Sequence, residues 1–186
     1  MNRLLVSAAV VLVLSVLSSC SGKIAPKVVE TSKDEAVIDL SACSFEKDGP
    51  VRLTGNTWEF YWEKLYSPDD FKSGRVKEEP ILAEGAVKWN GIVHEGTVLA
   101  EDGFATYRTR LILPRSGSYS FFIKNMDSAY RLWINGELLA ENGTVAESPA
   151  EYVPRRIPRK FYYHTNDPDL EVIIQIANYT HKWGGL

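Results

Sequence analysis

The chain has 186 residues, 45% hydrophobic and 24% charged, with a formal net charge of −3. That balance is ordinary for one folded domain, and it excludes a fibrous chain, wholesale disorder and a multi-pass membrane protein. With 21 basic residues against 24 acidic ones, no cationic excess exists to hold a nucleic acid.

The first element is a targeting segment. Arg3 supplies a short positive start, and Leu4 to Leu17 is a nearly unbroken apolar run. That run is shorter than the ~20 residues a membrane-spanning helix needs. Small residues and Cys20 follow it, so residues 1–19 read as a secretory signal peptide. The string Leu17-Ser18-Ser19-Cys20 resembles a bacterial lipobox, in which the cysteine becomes the lipid-bearing amino terminus. Ser21 after it resembles the residue that sends lipoproteins of Gram-negative bacteria to the outer membrane. The expected location is the bacterial cell envelope, outside the cytoplasm, on the periplasmic or outer-membrane face.

Residues 20–35 carry Ser, Gly, Lys, Pro and Asp without an apolar period and read as a flexible tether. Residues 36–186 then form the folded domain. Cys43 would be its one thiol and is expected as a small half-buried hydrophobe. Two cysteines cannot make a disulfide scaffold.

From there the dominant period is two. Trp58, Phe60 and Trp62 alternate with Glu59 and Tyr61, and Tyr107, Thr109, Leu111 and Leu113 alternate with Arg108, Arg110 and Ile112. Tyr119, Phe121 and Ile123 form a third run, and Leu170, Val172, Ile174 and Ile176 a fourth. Alternation of this kind puts one apolar face of each strand on a core, and repeated runs divided by turns imply a sandwich or barrel. An aromatic share of 11% leans the same way, or toward carbohydrate-facing surfaces.

Asn135-Gly136 between Tyr130–Ile134 and Glu137–Ala140 predicts a two-residue type I′ hairpin. That turn sets Ile134 opposite Glu137, Trp133 opposite Leu138 and Leu132 opposite Leu139, with the last pair on the core face. Trp133, Leu138 and Arg131 then share the outer face. Helix is scarce: Ser67-Pro68-Asp69-Asp70 has an N-cap Ser, a first-turn Pro and acids at the positive end, so one short helix starts there. Residues 74–103 read as mostly irregular, with strand-like scraps at 86–89 and 97–99. Residues 146–169 hold Pro149, Pro154, Pro158 and Pro168 around a basic knot of Arg155, Arg156, Arg159 and Lys160. The prolines exclude a helix there and keep any strand at an edge. The knot is either a solvated loop or an anion or sugar-acid site.

Catalytic chemistry leaves no mark. His94, His164 and His181 are scattered without metal-ligand spacing, so no metal or cofactor is expected. No phosphate loop, nucleophile elbow or zinc-protease motif occurs. The domain is read as non-catalytic.

A set of strings carries a family resemblance. They are Leu53–Trp62, Val87–Asn90, Gly103–Arg108, Ser128–Gly136, Gly143–Val145 and Gln175–Leu186. The Tyr130–Gly136 hairpin and the Asn178-x-x-His181-x-x-Gly184-Gly185 ending carry most of the weight. Together they resemble the galactose-binding-like jelly-roll domain outside the membrane in bacterial seven-transmembrane receptors with diverse intracellular signalling modules. They are more distantly similar to the non-catalytic sugar-binding domain of family 2 glycoside hydrolases.

The resemblance implies an all-β jelly-roll β-sandwich with at most one or two short helices. It also implies a sensory module for a carbohydrate or other small molecule, serving a seven-transmembrane signalling partner or downstream region. The ligand contacts it suggests are Trp89, Asn90, Arg131, Asn178, His181 and Trp183, with Cys20 bearing the lipid. In the receptors the domain precedes seven membrane helices, whereas here no long apolar run follows residue 20. The expectation is either an amino-terminal part of a longer receptor or a free-standing lipoprotein. Rival readings are an envelope lipoprotein that binds another protein, and a sugar-binding domain of a hydrolase.

Overall fold

A computed structural model describes residues 27–28, 34–53, 57–84, 88–124 and 126–185. The signal peptide, Cys20 and most of the stretch read as a tether lie outside the described residues. The elements in chain order are β1 (Lys27–Val28), β2 (Val37–Asp39), α1 (Phe45–Asp48), β3 (Val51–Arg52), β4 (Thr57–Trp62), α2 (Pro68–Lys72) and β5 (Ile81–Glu84). Then follow β6 (Val93–His94), β7 (Thr97–Val98), β8 (Gly103–Ile112), β9 (Gly117–Ile123), β10 (Ala129–Ile134), β11 (Glu137–Asn142), β12 (Arg159–Thr165) and β13 (Asp169–Asn178). The fold is all-β and sandwich-like, with two short helices in connections.

One layer is a sheet in the order β11-β10-β13-β8-β4-β5, with β2 parallel beside the far end of β8. Its spine is the antiparallel β8–β13 pair, in register from Gly103 opposite Asn178 to Ile112 opposite Asp169. The period-two runs become its two faces. Phe60, Tyr107, Leu111, Leu132, Ile134, Leu170, Ile174 and Ile176 point inward and are buried. The second layer is the antiparallel pair β9–β12, whose Tyr119, Phe121, Ile123, Phe161 and Tyr163 pack onto that core. Trp58 and Cys43 sit where expected, Trp58 buried and Cys43 half-buried against the core.

The hairpin forms at Asn135-Gly136, with φ of +49° and +85°, as a type I′ turn requires. Asn135 pins it to the spine: its amide donates to Glu171 O, and its Oδ1 accepts from the Glu171 amide at 2.8 Å. Ile134–Glu137 and Trp133–Leu138 pair as predicted, but Leu132 faces Ala140 rather than Leu139. A β-bulge inserts Leu139 as an extra residue, and this changes which side chains face inward. Ala140 takes the buried place, while Leu139 is only half-buried.

The predicted helix α2 is closed at its start by Asp70, whose Oδ2 accepts from the Ser67 amide at 2.8 Å and from its hydroxyl at 2.6 Å. Those bonds hold the Asp70 carboxyl below its ordinary range. Helix α1, one turn long, carried no comparable signal. Within 74–103 strands lie at Ile81–Glu84, paired with β4, and at Val93–His94 and Thr97–Val98, paired with each other. The scrap expected at 97–99 thus falls on β7, whereas Lys88–Trp89 is not strand and residues 86–87 lie outside the described residues. Within the stretch read as a tether, Lys27–Val28 pairs in parallel with Val51–Arg52.

Candidate functional site

Five of the six residues named as ligand contacts converge at one end of the sandwich. There the chain leaves β13 and runs back against the segment at 88–92. Asn178 ends the spine, fully buried, and its Nδ2 donates to Glu101 O at 2.9 Å and to His181 O at 2.6 Å. Its Oδ1 accepts from the His181 amide, closing the turn. Trp89 is also fully buried: its indole donates to the same Glu101 carbonyl at 3.1 Å and packs edge-on to Trp62. Asn90 stitches the two segments, its Nδ2 donating to Lys182 O and its Oδ1 accepting from the Gly184 amide at 2.7 Å. Asn178, Trp89 and Asn90 therefore shape this end from beneath.

Two residues face outward. The Trp183 ring is 44% exposed, with Lys88 Nζ 3.8 Å and Lys182 Nζ 5.4 Å from its centroid. His181 Nε2 lies 3.1 Å from Asp127 Oδ2, and Arg156 Nε holds the other oxygen of that carboxylate at 2.6 Å. His181 Nδ1 is 3.3 Å from the Trp183 amide nitrogen, so a proton on Nε2 leaves Nδ1 to accept it. The arrangement is an aromatic surface between ammonium groups on a hydrogen-bonded base. It suits a ring with C–H faces and an anionic or hydroxyl rim. Arg131 lies elsewhere, on the outer face of β10 across from Glu141 and Gln175.

A second concave region occupies the outer face of the large sheet, an open cleft of about 600 Å³. Arg108 organises its floor: Nη1 lies 3.1 Å from Glu59, Nη2 2.8 Å from Glu171, and the guanidinium stacks 4.6 Å over the Phe71 ring. Arg110 grips Asp169 beside it. The Tyr61 hydroxyl donates to Glu59 at 2.9 Å, and burial there raises its pKa above the ordinary phenol range. Glu59 and Glu171 come together in a cleft, as a glycoside-hydrolase pair must. The Arg108 guanidinium fills the gap where a scissile bond would lie. Sequence reading did not find this triad. Its one trace is that Glu59, Arg108 and Glu171 all occupy polar positions of the alternating runs. Among the described residues, no cluster of metal-ligating side chains occurs.

The PA14 domain matches residues 53–163, from just before β4 to the middle of β12. The chain belongs to the PA14 domain family. No curated protein matches it. Among solved structures, this PA14 protein is similar to a GH2 β-galacturonidase from Eisenbergiella tayi, with TM-score 0.46 and 10% identity over 72% of this chain and 22% of that one. It is also similar to a β-glucuronidase from an uncultured Clostridium sp., with TM-score 0.47 and 13% identity over 69% and 22%. A third is the Ruminococcus gnavus β-glucuronidase, with TM-score 0.45 and 14% identity over 68% and 21%. The chain spans about a fifth of the length of these enzymes. Of the candidate contacts, the PA14 match takes in Trp89, Asn90 and Arg131 and stops short of Asn178, His181 and Trp183.

Proposed function

We propose that this PA14 domain is a non-catalytic carbohydrate-binding module that works outside the cytoplasm as the sensory part of a bacterial signal-transduction system. The observation that carries the reading is the exposed Trp183 ring, already capped by a cation at Lys88 Nζ, on a base locked by Asn90, Asn178 and Glu101. A pyranose takes the place of the Lys88 ammonium over that ring, and the displaced Lys88 and Lys182 hold its oxygens. Burial of the base means that binding costs little ordering of the protein. A glycan array with the purified chain is expected to give sugar binding that Trp183→Ala weakens at least about tenfold, a loss of ~1.4 kcal/mol. An array with no positive sugar, or an unaffected variant, would sink the reading.

Membrane tethering is the second part of the proposal, and it rests on the lipobox at Leu17–Cys20. Cys20 carries the lipid, and the folded domain hangs from it, poised to reach a seven-transmembrane partner or a downstream region. The full-length chain made in a Gram-negative host is expected to enter the detergent phase, and Cys20→Ala to remain in the aqueous phase. Partition of the alanine variant with detergent would dismiss the anchor.

A further inference from the structure

The two-stranded layer has an inner and an outer face. Its inner face is stiffened by Phe121 and Phe161, whose rings stack 5.2 Å apart and 10° from parallel. Its outer face carries Ser118, Ser120 and Phe122 from β9 and Lys160, Tyr162 and His164 from β12. Phe122 is 62% exposed and Tyr162 71%. The register sets Phe122 opposite Lys160 and Tyr162 opposite Ser120, so the two rings are diagonal neighbours. Lys160 Nζ lies 5.2 Å from the Tyr162 centroid, and Ser118 Oγ 3.0 Å from His164 Nδ1. Lys124 follows directly at the end of β9 and is also exposed.

Two features of this face call for a ligand. Two large rings left in water as neighbours on adjoining strands mark a contact surface. Charge gives the second feature: in a chain of net charge −3, none of the outward positions of β9 and β12 is acidic. The acids gather instead in the cleft on the opposite side of the sandwich, around Glu59, Asp169 and Glu171. The shape is a ribbon, two strands ~4.8 Å apart and seven residues long.

We propose that this face binds an acidic polysaccharide, with one extended chain lying along β9 and β12. Its pyranose rings rest on Tyr162 and Phe122, and its carboxylates or sulfates pair with Lys160 and Lys124. A ribbon of this width matches a single polymer chain. An anionic membrane is a plane, whereas these rings and lysines lie along a narrow two-stranded ribbon. The proposal deepens the carbohydrate reading by naming a sugar class. It uses a surface separate from Trp183, so either can fail alone.

The test is titration of the purified full chain with sodium alginate, a polyuronate, beside neutral dextran and vesicles of three parts phosphatidylcholine to one part phosphatidylglycerol. Alginate is expected to bind and dextran not, with affinity falling as salt rises. The Phe122→Ala/Tyr162→Ala variant is expected to lose at least tenfold, and Lys124→Gln/Lys160→Gln to lose most of the salt dependence. Trp183→Ala is expected to leave alginate affinity unchanged. All four side chains are exposed, so thermal melts should match the parent and confirm folding. The proposal is overturned by no alginate binding, by equal binding to dextran, or by alginate affinity that follows Trp183 instead of the rings. It is also overturned if the ring variant abolishes vesicle binding while alginate affinity is unchanged.

Discussion

Gly184→Ala is expected to cost the domain about 3 kcal/mol and to lower its melting temperature by about 6–12 °C. A Cβ at this position would lie 2.1 Å from the Trp89 indole at both Cε2 and Nε1. Real carbon atoms do not approach so closely, so something must move. Trp89 cannot move cheaply, because it is fully buried, packed edge-on to Trp62, and donating to Glu101 O. The glycine backbone is held as well: Gly184 O accepts from the Trp89 amide at 3.0 Å, and its own amide donates to Asn90. The substitution either breaks those two bonds or opens the core. Differential scanning calorimetry against an exposed control such as Lys182→Ala measures the effect. An unchanged melting point would mean that the segment after β13 does not seat on Trp89. Sugar affinity at Trp183 should fall in parallel, since that ring rides on the same segment.

Arg108→Met is expected to destabilise the fold by about 2 kcal/mol. Its three side chains are between a quarter and a third exposed, so the cost falls between that of a surface pair and that of a buried one. Methionine keeps much of the stem's packing on Phe71 but leaves Glu59 and Glu171 facing each other without a counter-charge. The triple variant Arg108→Met/Glu59→Gln/Glu171→Gln should recover more than half of the loss, because it removes the repulsion along with the cation. Arg108→Lys should rescue less, since an ammonium cannot span both carboxylates in the geometry of a planar guanidinium. Urea denaturation of the four proteins separates these cases. A triple variant as unstable as Arg108→Met would show that packing, not charge, sets the loss.

The legible parts of the fold are those governed by local rules. The Asn135-Gly136 turn, the Ser67–Asp70 helix start and the faces of β4, β8, β9 and β13 follow from residue type and spacing. The bulge at Leu139 was hidden because it depends on how β11 twists against β10, and no residue near it demands an unusual backbone. The parallel seat of β2 beside β8 and the pairing of β9 with β12 join segments far apart in sequence, which period-two patterning cannot order. The same limit governs the sites. Asn178, His181 and Trp183 were named through a resemblance, and the structure brings them together with Trp89 and Asn90. It does so mainly through backbone carbonyls, which sequence does not display. Arg131 sits apart because its strand, β10, offers its outer side to a different part of the surface. The Arg108 triad draws on three strands, so no single segment could reveal it.

The two layers also differ in how they are supported. β13 is bonded along both sides and buried from Val172 to Asn178, whereas β9 and β12 bond, among the described residues, only to each other. Amide protons of the central spine should therefore exchange with solvent only when the whole molecule opens, while those of the thin layer escape through partial openings of lower free energy. A polymer settling on that layer would clamp the less supported of the two layers. Occupancy would then register as slowed exchange there, spreading through Phe121 and Phe161 into the shared interior, before any rigid-body displacement is needed.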